Sequence, residues 1–186
     1  MISLLDFERQ SLAHMDAAYN LAYWLVRDRD DAQDVVQDAY LRAFRAYDRT
    51  NSDDMKPWLL TIVRNVAYRW LSVRKRSANV ISFEDALSVR EEDDLHPLEV
   101  PSDDPSAEDM LVSRADRNLV HGALAELPPA FREVIALREL EGMSYQEIAE
   151  VTGVAIGTVM SRLSRARDQL RDRLRILLDK EARNAL

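Results

Sequence analysis

An all-α fold, two small helical bundles joined by an acidic connector, is what this sequence predicts, on three observations. Apolar residues recur at helical spacing through both ends of the 186-residue chain. Four glycines and six prolines are few for a chain that is 47% hydrophobic, which argues against an all-β fold. Prolines and carboxylates concentrate in one internal stretch, and there the helical period disappears.

The elements follow in order. Leu12, Met15, Tyr19, Ala22 and Val26 mark a first amphipathic helix, and Ala32, Val35, Val36, Ala39, Ala43 and Tyr47 a second. Asp28, Asp30 and Asp31 lie between them, where acids favour a helix start. After a polar loop at Thr50–Asp54, Pro57 suits the first turn of a third helix running to about Arg76. Its apolar stripe is Leu59, Ile62, Val63, Val66, Trp70 and Val73. Pro97, Pro101 and Pro105 then interrupt an acidic run that reads as an extended connector. The expected boundaries are a first unit at 1–78, a linker at 79–106 and a second unit at 107–186.

The second unit opens with a helix from about Ser106 to Ala125. Leu127-Pro128-Pro129 breaks it and starts another that ends near Gly142. Ser144 and Glu147 then form an S-x-x-E capping box. Ala149, Gly153 and Val159 give the small–Gly–branched spacing of a helix-turn-helix, with Gly153 where the turn needs a positive φ. Leu163, Ala166, Leu170, Leu174 and Leu177 continue the buried stripe of its second helix.

Composition narrows the chemistry. Without cysteine there is no disulfide framework, thiolate metal site or cysteine nucleophile. His14, His96 and His121 are scattered, with no metal-ligand spacing, so neither a metal nor a cofactor is expected. No apolar run approaches the roughly 18 residues of a membrane span, so no membrane insertion is expected. The start Met-Ile-Ser-Leu-Leu-Asp-Phe-Glu-Arg lacks a signal-peptide pattern, and the expected location is the cytoplasm.

The net charge of −8 is unpromising for a nucleic-acid binder until it is located. Residues 80–110 hold eleven acids against the single base Arg90, and the rest of the chain carries 24 bases against 22 acids. What matters for DNA is where the basic patches lie.

Two patches stand out. From Met55 to Phe83 there is no acid, while Lys56, Arg64, Arg69, Arg74, Lys75 and Arg76 are basic. Thr61, Arg64, Asn65, Tyr68, Arg69, Ser72 and Arg76 share one helical face. Cations, an amide and aromatics, Trp58 and Tyr68 among them, are what single-stranded or locally opened DNA requires. An amphipathic core helix with a solvated basic face accounts for the same pattern, and Trp58 and Trp70 fall on or near its apolar stripe. The second patch is the last helix of the helix-turn-helix. It presents Thr158, Ser161, Arg162 and Arg165 at offsets of three, four and seven, side chains suited to phosphates and base edges in the major groove. A third face, Asp34, Gln37, Asp38 and Leu41 on the second helix, joins acids and an amide to one aliphatic anchor and suits a partner helix.

Two other readings fit parts of the chain. A stand-alone helix-turn-helix regulator would need a ligand pocket or a self-complementary apolar face, and it leaves the basic third helix without a purpose. A nuclease would need clustered carboxylates for Mg²⁺, whereas Asp34 and Asp38 have no third ligand in view.

Several segments resemble one family. Asp31-Ala-Gln-Asp-Val-Val-Gln-Asp-Ala-Tyr-Leu-Arg-Ala-Phe-Arg and Pro57-Trp-Leu-Leu-Thr-Ile-Val-Arg-Asn-Val-Ala resemble segments of the bacterial extracytoplasmic-function (ECF) sigma factors, of the sigma-70 family. Leu127-Pro-Pro-Ala-Phe-Arg-Glu-Val-Ile-Ala-Leu-Arg-Glu-Leu-Glu-Gly-Met-Ser-Tyr-Gln-Glu-Ile-Ala is similar to the start of that family's fourth region. Gly157-Thr-Val-Met-Ser-Arg-Leu-Ser-Arg-Ala-Arg is similar to its recognition helix.

The resemblance implies a non-enzymatic specificity subunit of core RNA polymerase that directs initiation at promoter DNA. Asp34, Gln37, Asp38 and Leu41 would meet the β′ clamp helices. Trp58, Arg64, Asn65, Tyr68, Arg69, Arg74, Lys75 and Arg76 would meet the melted minus-ten strand, with an unpaired base held at Asn65. Thr158, Met160, Ser161, Arg162, Arg165 and Arg167 would read the minus-thirty-five element, beside the β flap. Members are commonly silenced by an anti-sigma factor, so such a partner is implied too.

Two positions depart from the pattern. Met160 stands where Lys or Arg is frequent, so one contact there is absent or apolar. Ala155 is a poor N-cap for the recognition helix. The linker could reach about 90 Å extended, and its acidity could compete with DNA for the basic faces.

Overall fold

The computed structural model describes residues 4–47, 54–81 and 117–184, and all of its regular structure there is helical. Most of the acidic connector, the polar loop and the first half of the helix expected from Ser106 lie outside the described residues. Helices α1 (Leu4–Leu12), α2 (Met15–Val26), α3 (Arg29–Ala46) and α4 (Met55–Ile81) form the first half. The second half holds α5 (117–125), α6 (Pro129–Ile135), α7 (Tyr145–Thr152) and α8 (Ile156–Asn184).

The first expected helix is two. The Ser11 carbonyl accepts from His14 N at 3.0 Å and from Tyr40 Oη at 2.8 Å, which diverts it from the helical ladder. The chain turns at Ala13–His14, and α1 lies apart with Phe7 against Ala43 and Leu59. Between α2 and α3, Arg27 takes the left-handed conformation at φ 62° and donates its N–H to the Tyr23 carbonyl. Asp28 then caps α3, accepting from Asp31 N at 3.0 Å.

Helix α4 runs five residues past Arg76 and outlasts the bundle. Leu59, Leu60, Val63, Val66 and Ala67 are buried, whereas Trp70 and Val73 are 36% and 54% exposed. The expected apolar stripe therefore loses its cover after Ala67: Leu71 is half-buried against the core, and among the described residues Trp70 and Val73 lie outside it.

Helix α6 starts with Pro129 in its first turn and widens into a π-helical turn, Ala136–Leu140, where Glu141 N donates to Ala136 O at 3.1 Å. Gly142 at φ 66° completes the reversal into α7. The capping box has both bonds: Ser144 Oγ accepts from Glu147 N at 3.2 Å, and Ser144 N donates to Glu147 Oε2 at 2.6 Å. Gly153 ends α7 at φ 67°, and an added Cβ there would meet nothing within 4 Å, so the dihedral alone selects glycine. The first turn of α8 hangs on the Ala155 carbonyl, which accepts from Thr158 N and Val159 N; alanine adds no side-chain acceptor.

The two halves are docked. One buried cluster runs from Leu21, Leu25 and Val63 through Leu124, Leu127, Val134 and Leu137 to Ile148, Val159 and Leu163. Each fully buried aliphatic side chain contributes about 1.5–3 kcal/mol. Trp24 of α2 lies against His121 of α5, ring centroids 4.9 Å apart. The expectation of two bundles holds, and α2 and α4 of the first pack on α6 and α7 of the second.

Candidate nucleic-acid interface

Docking divides the polar face of α4. Arg64 and Tyr68 are half-buried and turned toward α6; Asn65, Arg69, Lys75 and Arg76 remain exposed. Arg64 Nε donates to Glu133 Oε1 at 2.5 Å, Tyr68 Oη donates to Glu133 Oε2 at 3.2 Å, and the Arg64 guanidinium lies 4.7 Å from the Tyr68 ring centroid. The Glu133 side chain is wholly buried. Burial pushes its carboxyl above the usual carboxylate range, with Arg64 and the two hydrogen bonds opposing that shift. Burial, with the Glu133 charge behind it, raises the Tyr68 phenol to about 12, so Tyr68 stays a donor.

A second carboxylate does the same eight residues later. Glu141 follows the π-helical turn, and its Oε2 lies 3.2 Å from Lys56 Nζ. Lys56 also donates to the Glu141 carbonyl at 2.9 Å, and Asn20 Nδ2 donates to Glu141 Oε1 at 3.0 Å. Lys56, Glu133, Glu141 and Asn20 carry no local signal in the sequence as partners; only the basic, acid-free character of α4 hints at Lys56.

The remaining α4 residues are spread. Arg74 pairs with Asp31 of α3. Trp58 is half-buried beside Phe7, Ala43 and Leu59, with Tyr47 at 6.4 Å. That placement gives Trp58 packing, while Asn65 and Arg69 stand free on the outer face.

The last helix presents Ser161 and Arg165 outward, with Thr158 half-buried and Ser161 Oγ donating to the Thr158 carbonyl at 3.0 Å. Met160 is 53% exposed between them. Arg162 turns inward, close enough to Glu133 and Tyr68 to act on both electrostatically. Arg167 is taken by Glu139, Nη2 to Oε1 at 2.6 Å. An exposed row of Met160, Ser161 and Arg165 thus remains, flanked by the inward-turned Arg162 and by Arg167, which Glu139 already holds.

On α3, Asp34, Gln37 and Leu41 are exposed, and Asp38 binds Arg42 of the next turn. Beside them, Leu12 and Met15 of α1–α2 and Phe44 of α3 line an apolar groove of about 710 Å³ that also reaches Gln37 and Leu41. Leu12, Met15 and Phe44 enlarge the expected single anchor into a surface. The break at Ala13–His14 creates it, and that break had no sequence signal. Among the described residues, no three His, Asp or Glu side chains gather as a metal-ion site, and no helix is long and apolar enough to cross a membrane.

Residues 12–77 match the family model of sigma-70 region 2, and residues 117–170 match sigma-70 region 4. These two regions in this order define a sigma-70-type chain. It is 37% identical to the ECF RNA polymerase sigma factor SigE of Mycolicibacterium smegmatis over 162 residues, covering 87% of this chain and 58% of that protein. It is 34% identical to the ECF RNA polymerase sigma-E factor of Escherichia coli K12 over 152 residues, covering 80% of this chain and 76% of that one. The RNA polymerase sigma-H factor of Pseudomonas aeruginosa is 32% identical over 92% of this chain and 88% of its own length.

Among solved structures, the sigma factor RpoE of Bartonella quintana, in complex with the anti-sigma factor NepR, superposes at a TM-score of 0.71 with 31% identity. That match covers 92% of this chain and 98% of the other. The fold is shared with CnrH, at a TM-score of 0.58. The chain belongs to the ECF sigma factors of the sigma-70 family.

Proposed function

We propose that this sigma factor works in the cytoplasm as a non-enzymatic, dissociable subunit with three separate faces. Asp34, Gln37, Asp38, Leu41 and the adjoining groove bind the β′ clamp helices of core RNA polymerase. Asn65, with Arg64, Tyr68, Arg69, Arg74, Lys75 and Arg76, holds the melted minus-ten strand. Thr158, Met160, Ser161, Arg162, Arg165 and Arg167 read the minus-thirty-five element, next to the β flap. The first unit, 1–78, carries core and minus-ten binding, the stretch 79–106 tethers it, and 107–186 carries the helix-turn-helix. Trp58, half-buried beside Phe7 and Leu59, belongs to the same minus-ten surface.

The single observation that carries this is the distribution of unsatisfied chemistry: an exposed amide–cation face on α4 and an exposed apolar–acidic face on α3 of the same bundle. Two individually weak DNA contacts joined by a tether gain from effective concentration. An anti-sigma factor is a natural partner, since the relative from Bartonella quintana is found with one. An apolar groove next to Leu41 is the kind of surface an amphipathic helix of such a partner covers.

Co-elution with bacterial core RNA polymerase on gel filtration tests the α3 face. The wild-type chain elutes with core at one to one, and Asp38→Arg with Leu41→Glu elutes alone. A double variant that still co-elutes removes α3 from the account.

A further inference from the structure

We propose that Met160 reads a thymine: its thioether packs on the C5-methyl group of one base in the major groove and selects that base by apolar contact alone. The inference rests on the reading of α8 as the helix that enters the groove of the upstream element.

A recognition helix sets the side chains of its first turns against base edges. Met160 is the fifth residue of α8 and is 53% exposed, whereas Val159 before it and Leu163 three residues on are buried. It has no donor to give a phosphate and none to give a base. Of the four bases, only thymine shows an apolar group in the major groove. Against any other edge the thioether would strip water from a donor or acceptor without bonding it, which is unfavourable. Its unbranched, polarisable chain also adapts readily to an apolar contact.

The neighbours of Met160 favour the same contact. Helix side chains lean towards the N-terminus, so the Met160 chain lies over the turn that carries Gly157, three residues back. Gly157 has no side chain, and a Cβ added there would meet nothing within 4 Å. Space for a methyl group of the DNA is therefore open beside the thioether. Arg167 and Arg171 follow Met160 along its flank, two and three turns on. Each already has a carboxylate, Glu139 at 2.6 Å and Asp168 at 3.2 Å. This flank thus relies on apolar contact with a base, while Arg165, exposed on the neighbouring flank, supplies a cation.

The test uses holoenzyme assembled from the full chain and core RNA polymerase. Double-stranded DNA of random sequence is selected and sequenced with wild type, Met160→Ala and Arg165→Ala. In the upstream block, Met160→Ala loses the preference for thymine at one position, and Arg165→Ala loses a preference at a different one. That thymine is then replaced by uracil, which lacks only the methyl group. Wild-type affinity falls about fivefold, equivalent to roughly 1 kcal/mol, and Met160→Ala changes by less than about 1.5-fold. Met160→Lys gains a phosphate contact instead: it binds both duplexes alike, and its salt dependence steepens by about one released ion. An upstream block whose thymines all survive Met160→Ala overturns the proposal, as does a uracil duplex that wild type binds as tightly as the thymine one. A block that neither Met160→Ala nor Arg165→Ala alters, or the absence of an upstream block, removes the reading of α8 itself.

Discussion

Arg42 grips Asp38 through both Nε and Nη2, at 2.9 and 3.0 Å, on the face of α3 that also carries Leu41. The pair is nearly half exposed on both sides, so it adds only a few tenths of a kcal/mol to stability. Its effect lies in the field. Of Asp34 and Asp38, the two acids of the face proposed to meet core polymerase, one is compensated before any partner arrives. Arg42→Ala therefore leaves thermal stability within about 0.5 kcal/mol and raises the low-salt association rate with core polymerase about threefold. Stopped-flow association measured across a salt series checks this, and the gain disappears at high salt.

Ser144 and Glu147 exchange both bonds of the capping box at the entry to α7. Ser144→Ala loses the side-chain acceptor for Glu147 N and lowers unfolding free energy by about 1 kcal/mol. The hydrogen bonds from Ser144 also hold the Glu147 carboxyl below its ordinary value of 4.5. A depressed carboxylate contributes stability that is present above the ordinary value and lost as pH falls through the folded one. Denaturant titrations from neutral pH down to about pH 3 resolve both effects, and Ser144→Ala flattens the acid limb.

Two glycines of the helix-turn-helix separate conformation from space. Neither Gly153 nor Gly157 has an atom within 4 Å of an added Cβ, and only Gly153 has a positive φ. Gly153→Ala costs about 1–2 kcal/mol through the left-handed conformation. Gly157→Ala, inside α8, gains up to about 1 kcal/mol of helix propensity. Thermal unfolding of the two variants gives shifts of opposite sign.

His121 ties acid sensitivity to the junction of the halves. Its ring lies on Trp24, its Nδ1 is buried without a partner, and burial lowers its pKa below the ordinary 6.5. The folded state therefore favours the neutral ring. Stability is complete above pH 6.5 and declines as pH falls through the lowered value. Trp24 fluorescence followed from pH 7.5 to 5 reports this, and His121→Phe removes the transition.

The helix-turn-helix was legible because its constraints are local: a cap three residues from its partner, a positive φ at Gly153, a branched residue six further on. The α3 and α4 faces were legible as periodic patterns of charge. The contact between Arg64 and Glu133 was not, since 69 residues separate them and neither residue type announces burial. The break before Met15 depends on Tyr40 reaching the Ser11 carbonyl from 29 residues away. Trp70 and Val73 continue the apolar period of α4 faithfully, and among the described residues they lie outside the packed core.

The central claim is that this chain gives core polymerase a promoter specificity through two spaced DNA contacts. Transcription of fragmented bacterial genomic DNA by core RNA polymerase, with and without the chain, tests it when the 5′ ends are sequenced. The account predicts discrete start sites found only when the chain is present, preceded by two short shared blocks at constant spacing, and their loss with Asn65→Ala or Arg165→Ala. Start sites identical to those of core alone would contradict it.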